Sequence, residues 1–236
     1  MSLGPIVTGS TLGLKLISRA YHGPAAWTIC GWAKRMDTGS LAPLAGTRIW
    51  SKESGSLGKG LYLGFDDSIG NIRLVHKRSS SNLNYTTTNT PWADRNWKFV
   101  AVVCDTSGAA NQLATFYFGS ERSFATASSV GSKTDGGGTF DLAGVDTSMA
   151  FSMMPHNGSV SWITWQWAQF YNRALSVGEL RSLQFNPRPL DNGCRLYLIM
   201  NDTGSCIEVS GYSGSLYNSG TISYGSPSIP PIWSDS

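Results

Sequence analysis

The sequence predicts an all-β fold, an antiparallel β-sandwich with one short helix, on three observations. Short apolar and aromatic runs recur along the chain, separated by glycine-rich or short polar segments. The densest run, residues 160–171, leads directly into a well-marked helix start at Ser176. No other segment carries apolar residues at convincing helical spacing. The composition agrees: 27 glycines, 11% aromatic residues and only 14% charged residues, against roughly 25% charged in an average soluble domain.

The predicted strands are 27–34, 48–52, 60–65, 71–77, 97–105, 113–118, 139–145, 160–171 and 195–200. The segments between them have turn chemistry. Residues 53–58 (ESGSLG), 66–70 (DDSIG), 105–108 (DTSG) and 133–138 (KTDGGG) supply glycine for positive φ and short polar side chains that cap local amides. Residues 79–91, SSSNLNYTTTNTP, read as a longer polar loop. Along 160–171, strict alternation puts Trp162, Thr164, Gln166, Ala168 and Phe170 on one face. Ile163, Trp165, Trp167, Gln169 and Tyr171 fall on the other. Ser176-Val-Gly-Glu179 then has the spacing of a capping box, which predicts a helix over 177–185 docked through Leu180 and Leu183. Pro187 and Pro189 stop it, because proline lacks the amide donor and disfavours helix in the residue before it. With a single helix, a doubly wound α/β fold is excluded.

At 236 residues the chain suits one large β domain with short appendages. The net charge is +3 and the basic residues are scattered, so there is no polybasic arm to neutralise phosphates and nucleic acid is excluded as a partner. The first residues, MSLGPIVTGSTLG, have neither a basic start nor an apolar core, and no run reaches the ~18 apolar residues of a membrane span. The expectation is synthesis in the cytoplasm without a signal peptide and no membrane association. Cys30 and Cys104 sit in apolar strand patterns, as buried free thiols do. Cys194 and Cys206 bracket a predicted hairpin turn at 201–204, which leaves a cross-strand disulfide open. His22, His76 and His156 are widely separated and no CxxC pair exists, so zinc has no support.

Four landmarks carry a family resemblance. They are WTICGWAKR (27–35), IWSKESGSLGKGLYLGFDDSIGNIRLVHK (49–77), WKFVAVV (97–103) and FYNRALSVGEL (170–180). Their order resembles the laminin G-like jelly roll of the concanavalin A-like lectin and glucanase superfamily. The resemblance implies two antiparallel sheets packed around aromatic residues, with Trp27, Trp32 and Trp97 in the core. It covers roughly 25–190, preceded by an N-terminal arm and first strand at 1–24. Residues 191–236 form C-terminal strands and an extended tail. The stretch 194–220 resembles a segment that usually opens such domains, so these strands either complete the same sandwich or dock on a neighbouring subunit. This arrangement is similar to laminin G-like proteins encoded by bacteriophages. The implied role is a virion accessory or capsid decoration protein, a homo-oligomer whose partners are other virion or assembly proteins, at the virion surface.

Chemistry is sparse in the sequence. Glucanases of the superfamily set acids on alternate residues of one strand. The four glutamates here, Glu53, Glu121, Glu179 and Glu208, have no carboxylate two residues away, and Trp165, Gln166 and Trp167 stand where relatives often carry acids. No GxSxG elbow is present. The expectation is therefore a non-enzymatic structural or binding module, with a carbohydrate-binding domain for cell-surface glycans in host attachment as the alternative and an atypical glycoside hydrolase as a weaker one. Sugar binding would use aromatic faces for C–H groups beside amides for hydroxyls. Trp165, Trp167, Gln169, Trp92, Tyr85 and Asn84 are the candidates for a carbohydrate or partner surface, with core packing as the competing reading. Asp66, Asp67 and Asn71 form the best local oxygen cluster for calcium, against simple turn capping; Asp105, Asp141 and Asp146 are more distant candidates.

Overall fold

The computed structural model describes residues 5–7, 13–17, 26–35, 48–54, 59–66, 71–77, 82–94, 96–105, 114–128, 130–134, 151–153, 163–190, 192–200, 206–208, 215–219 and 222–224. In chain order the first strands are β1 (Pro5–Val7), β2 (Gly13–Ile17), β3 (Ala26–Arg35), β4 (Arg48–Ser54), β5 (Lys59–Phe65), β6 (Ile72–Lys77), β7 (Asn82–Thr87) and β8 (Lys98–Asp105). They are followed by β9 (Ala114–Ser120), β10 (Ser123–Ala127), β11 (Val130–Thr134), β12 (Phe151–Met153) and β13 (Ile163–Tyr171). Helix α1 (Val177–Phe185) precedes β14 (Cys194–Met200), β15 (Cys206–Glu208), β16 (Ser215–Ser219) and β17 (Ile222–Tyr224).

The strands form a seven-stranded sheet, β10-β9-β8-β3-β13-β14-β15, and an eight-stranded sheet, β11-β7-β6-β5-β4-β12-β2-β16, with β1 and β17 as a separate pair. Every pairing is antiparallel. The fold is thus an antiparallel β-sandwich with one short helix. The C-terminal strands belong to the same chain's sheets, β14 beside β13 and β16 beside β2. Among the described residues no helix is long and apolar enough to cross a membrane.

Alternation within each strand produces two apolar layers. Trp27, Ile29 and Ala33 of β3 meet Trp50, Leu63, Phe65, Leu74 and Tyr85 of the opposite sheet in the core between the sheets. Trp27 sits edge-on to Trp50 and stacks on Phe170, with centroids 5.6 and 6.2 Å away. The intervening β3 residues Cys30 and Trp32 point to the outer face of the seven-stranded sheet, where Phe99, Ala101 and Trp167 join Leu180 and Leu183 of α1. Each fully buried Leu or Phe contributes roughly 1.5–3 kcal/mol relative to exposure. The helix therefore covers the sheet with its Leu180/Leu183 edge, at the bounds the capping box predicts. Ser176 Oγ accepts from the Glu179 amide at 3.3 Å and the Ser176 amide donates to Glu179 Oε2 at 2.8 Å.

Three sequence expectations change. Residues 79–91 include β7, a strand paired with β6 and β11. Its sequence, NLNYTT, is too polar to stand out, because Asn84 and Thr86 stay partly exposed while Tyr85 and Thr87 are buried. In β13, alternation is broken: Trp165 pairs with Ala33 but Trp167 pairs with Trp32, so Gln166 is the extra residue of a β-bulge. Trp165 consequently faces the inter-sheet core and Trp167 the layer beneath the helix. Gly31 lies against this bulge, where a Cβ would sit 2.2 Å from the Trp167 carbonyl oxygen and 2.8 Å from the Trp165 ring. Finally, Cys206 pairs with Met200, at the far end of β14 from Cys194. At ~3.3 Å per residue the two cysteines are about 20 Å apart, well beyond the ~7 Å limit for a disulfide. Cys30, Cys104 and Cys194 are free thiols. The predicted strand at 139–145 lies outside the described residues.

Candidate functional site

The structure disperses the predicted surface residues. Trp92, Trp165, Trp167, Tyr85 and Gln169 are all buried, at 2% exposure or less. Rings so enclosed cannot stack on a sugar. Trp92 packs edge-on to Phe65 and its Nε1 donates to the Ala33 carbonyl at 3.2 Å. Gln169 donates from Nε2 to the Pro187 carbonyl and accepts from the Tyr171 hydroxyl at 2.6 Å, which fixes the segment that follows the helix. Burial first, and then nearby thiols, push the Tyr171 phenol far up, so this hydroxyl stays a donor. Asn84 is only partly buried, and its Oδ1 accepts from Arg73 Nη2 at 3.1 Å.

At the β5–β6 turn, Asp66 is engaged within the protein. Asp66 Oδ1 is 3.0 Å from Arg73 Nη1, and the Asp66 amide donates to the Asn71 carbonyl at 2.8 Å. The Arg73 guanidinium thus competes with any cation for Asp66 Oδ1. Asp67, Asp141 and Asp146 lie outside the described residues. Among the described residues no three His, Cys, Asp or Glu side chains are placed to hold a metal ion.

A cleft of about 520 Å³ opens elsewhere, at the end of the seven-stranded sheet where β3 finishes and β8 begins. Three chain segments line it. Lys34 comes from β3, Asp94, Asn96, Trp97 and Lys98 from the entry to β8, and Ser120, Glu121 and Arg122 from the β9–β10 turn. Trp97 is only 6% exposed, so it forms wall rather than stacking platform. Asp94 organises the entry: Oδ1 accepts from the Asn96 amide at 3.1 Å and Oδ2 from Lys98 Nζ at 2.6 Å. Partial burial pushes the Asp94 carboxyl up, but hydrogen bonds from Lys98 and Asn96 and the Lys98 charge outweigh it, so the carboxyl sits below its ordinary range.

The β9–β10 turn is held from behind by the helix. Gln184 is fully buried; its Nε2 donates to the Ser120 and Ser123 carbonyls at 2.8 Å each, and its Oε1 accepts from the Ala125 amide at 2.7 Å. Its own carbonyl accepts from Trp32 Nε1 at 2.8 Å. Gly119 leaves room for this side chain, since a Cβ there would come within 2.6 Å of Gln184 Nε2. On the outer side, Ser120 Oγ lies 2.7 Å from Ser123 Oγ and accepts from the Arg122 amide at 3.2 Å. The backbone is therefore fixed while the side chains of Glu121 and Arg122 are exposed, with no ion pair or hydrogen bond from either among the described residues. A carboxylate, a guanidinium, an amide and a lysine converge there on a rigid wall, which suits a ligand rich in hydroxyls.

Sequence reading misses this cleft because its parts are exposed, charged and far apart along the chain. The one local signal is the i, i+4 spacing of Asp94 and Lys98. The exposed aromatics also differ from those expected. Among the described residues they are Phe124 and Phe185, 60% and 37% exposed, packed edge-on with centroids 5.4 Å apart.

No protein-family model matches the sequence, and no curated protein is significantly similar to it. In fold, the chain is similar to a candidate carbohydrate-binding protein from Bacteroides ovatus of known crystal structure, at 14% identity and a TM-score of 0.53. The match covers 94% of this chain and 62% of the other, so this chain spans less than two thirds of that protein's length. The likeness is one of fold: an all-β sandwich.

Proposed function

We propose that this chain is a non-enzymatic carbohydrate-binding module and that the cleft between Lys34, Asn96, Lys98 and the Ser120–Arg122 turn is its binding site. The observation that carries the reading is the turn itself. Gln184 immobilises its backbone, while Glu121 and Arg122 point outward without protein partners among the described residues. A carboxylate accepts from vicinal hydroxyls and a guanidinium donates to sugar oxygens. Prior immobilisation lowers the entropic cost of ordering them on binding. The fold likeness to a candidate carbohydrate-binding protein supports the same reading by analogy.

Binding is proposed to be independent of calcium, because Arg73 occupies Asp66 in the sequence's best cation cluster. The setting proposed for the module is attachment at the surface of a phage-type particle, on the sequence resemblance alone. A glycan array of the intact chain tests the function: retained binding in EDTA is expected, with at least a tenfold loss in Glu121→Ala/Arg122→Ala. Absence of any glycan binding, or binding indifferent to that double substitution, would overturn it.

A further inference from the structure

We infer that Phe124, Phe185 and Arg181 form a second sugar subsite that extends the cleft, so the module reads an oligosaccharide rather than a single sugar. The inference rests on the glycan reading of the cleft. Phe124 follows Arg122 by two residues, which places it within about 7 Å of the cleft rim along the backbone. Its ring is 60% exposed, beside Phe185 at 37%. An exposed aromatic ring offers an apolar face to the C–H side of a pyranose.

Arg181 supplies the polar half of the subsite. Its guanidinium lies over the Phe124 ring, 5.7 Å from the centroid, and takes one face of that ring. Nε donates to the Ala125 carbonyl at 3.1 Å, which holds the group in place. A fixed ring beside fixed donors is the pairing that recognises a sugar's apolar face and its hydroxyls together.

The same contacts argue against a pairing peptide as the occupant. β10 is the edge of the seven-stranded sheet, and an open edge is where an extended chain adds by backbone hydrogen bonds. Here the Ala125 amide is taken by Gln184 and its carbonyl by Arg181. The helix side chains close the edge at the level of the aromatic pair, leaving side-chain surface for recognition.

The test is calorimetric titration of the intact chain with length ladders, two to six units, of cello-, malto-, xylo- and chito-oligosaccharides. For a ladder that binds, affinity is expected to rise about five- to tenfold from the shortest to the longest member, the size of one aromatic contact. Phe124→Ala/Phe185→Ala should abolish that rise and leave the shortest member's affinity unchanged, while Phe124→Trp preserves it. Arg122→Ala should instead weaken every length. A double alanine variant that keeps the full length dependence overturns the subsite while leaving the cleft intact. So does one that dissociates an oligomer without altering glycan affinity. If no ladder binds the wild-type chain, the cleft reading falls and the subsite with it.

Discussion

Gln184 shows how one side chain ties the framework to the site. Its amide closes three backbone groups of the β9–β10 turn, and replacing it with leucine would leave the buried Ala125 amide and two partly buried carbonyls without partners. Each such group costs about 1–3 kcal/mol. Gln184→Leu is therefore expected to destabilise the chain by at least ~2 kcal/mol and to weaken glycan binding in the folded fraction, measurable by urea unfolding alongside calorimetry. Glu179 acts at the same scale through charge. The hydrogen bond from Arg173 is the main cause holding its carboxyl at about 2, below the ordinary 4.5; partial burial opposes it, while Ser176 and the Arg173 charge add to it. A carboxyl lower in the folded state stabilises above its unfolded value, and that contribution disappears as pH falls through the folded one. The window is thus pH 4.5 down to 2. Because the pair is about one third exposed, at 27% and 32%, solvent screening limits the contribution to below ~1 kcal/mol. Glu179→Gln should flatten the fall in melting temperature across that window relative to wild type; an unchanged slope would remove Glu179 from the acid response.

At the scale of elements, the helix was legible and the faces of β13 were not. A capping box is a local pattern, so Ser176 and Glu179 locate α1 without knowledge of the rest of the chain. A bulge has no comparable local mark, yet one extra residue at Gln166 sends Trp165 and Trp167 to opposite sides of the sheet. β7 was hidden for a different reason: with Asn84 and Thr86 partly exposed, its composition resembles a loop. The bulge yields a prediction about the two tryptophans. Trp165→Ala and Trp167→Ala should each cost ~3–5 kcal/mol, one by emptying the inter-sheet core and the other by undermining the helix layer. Chemical denaturation checks this, and full stability in either variant would contradict its placement. Gly31→Ala should cost ~3 kcal/mol through overpacking, since its Cβ meets backbone at Trp167 that cannot swing aside.

For the whole molecule, alternation and turn chemistry carried the sandwich, because burial between two sheets is written into each strand separately. Trp92 and Trp165, candidates for a binding surface, instead join Trp27, Trp32 and Trp50 among the largest fully buried side chains. The cleft could not be read in the same way. It exists only where Lys34, the Asp94–Lys98 entry and the Ser120–Arg122 turn meet, and that meeting is a product of sheet order. The most direct test of the cleft as the glycan site is a chemical-shift titration of the isotope-labelled chain with an oligosaccharide that binds it. Amide shifts are expected to concentrate at Asn96, Lys98 and Ser120 to Arg122, spreading to Phe124 only with longer ligands. Shifts confined to the eight-stranded sheet, with the Ser120–Arg122 turn unmoved, would contradict it.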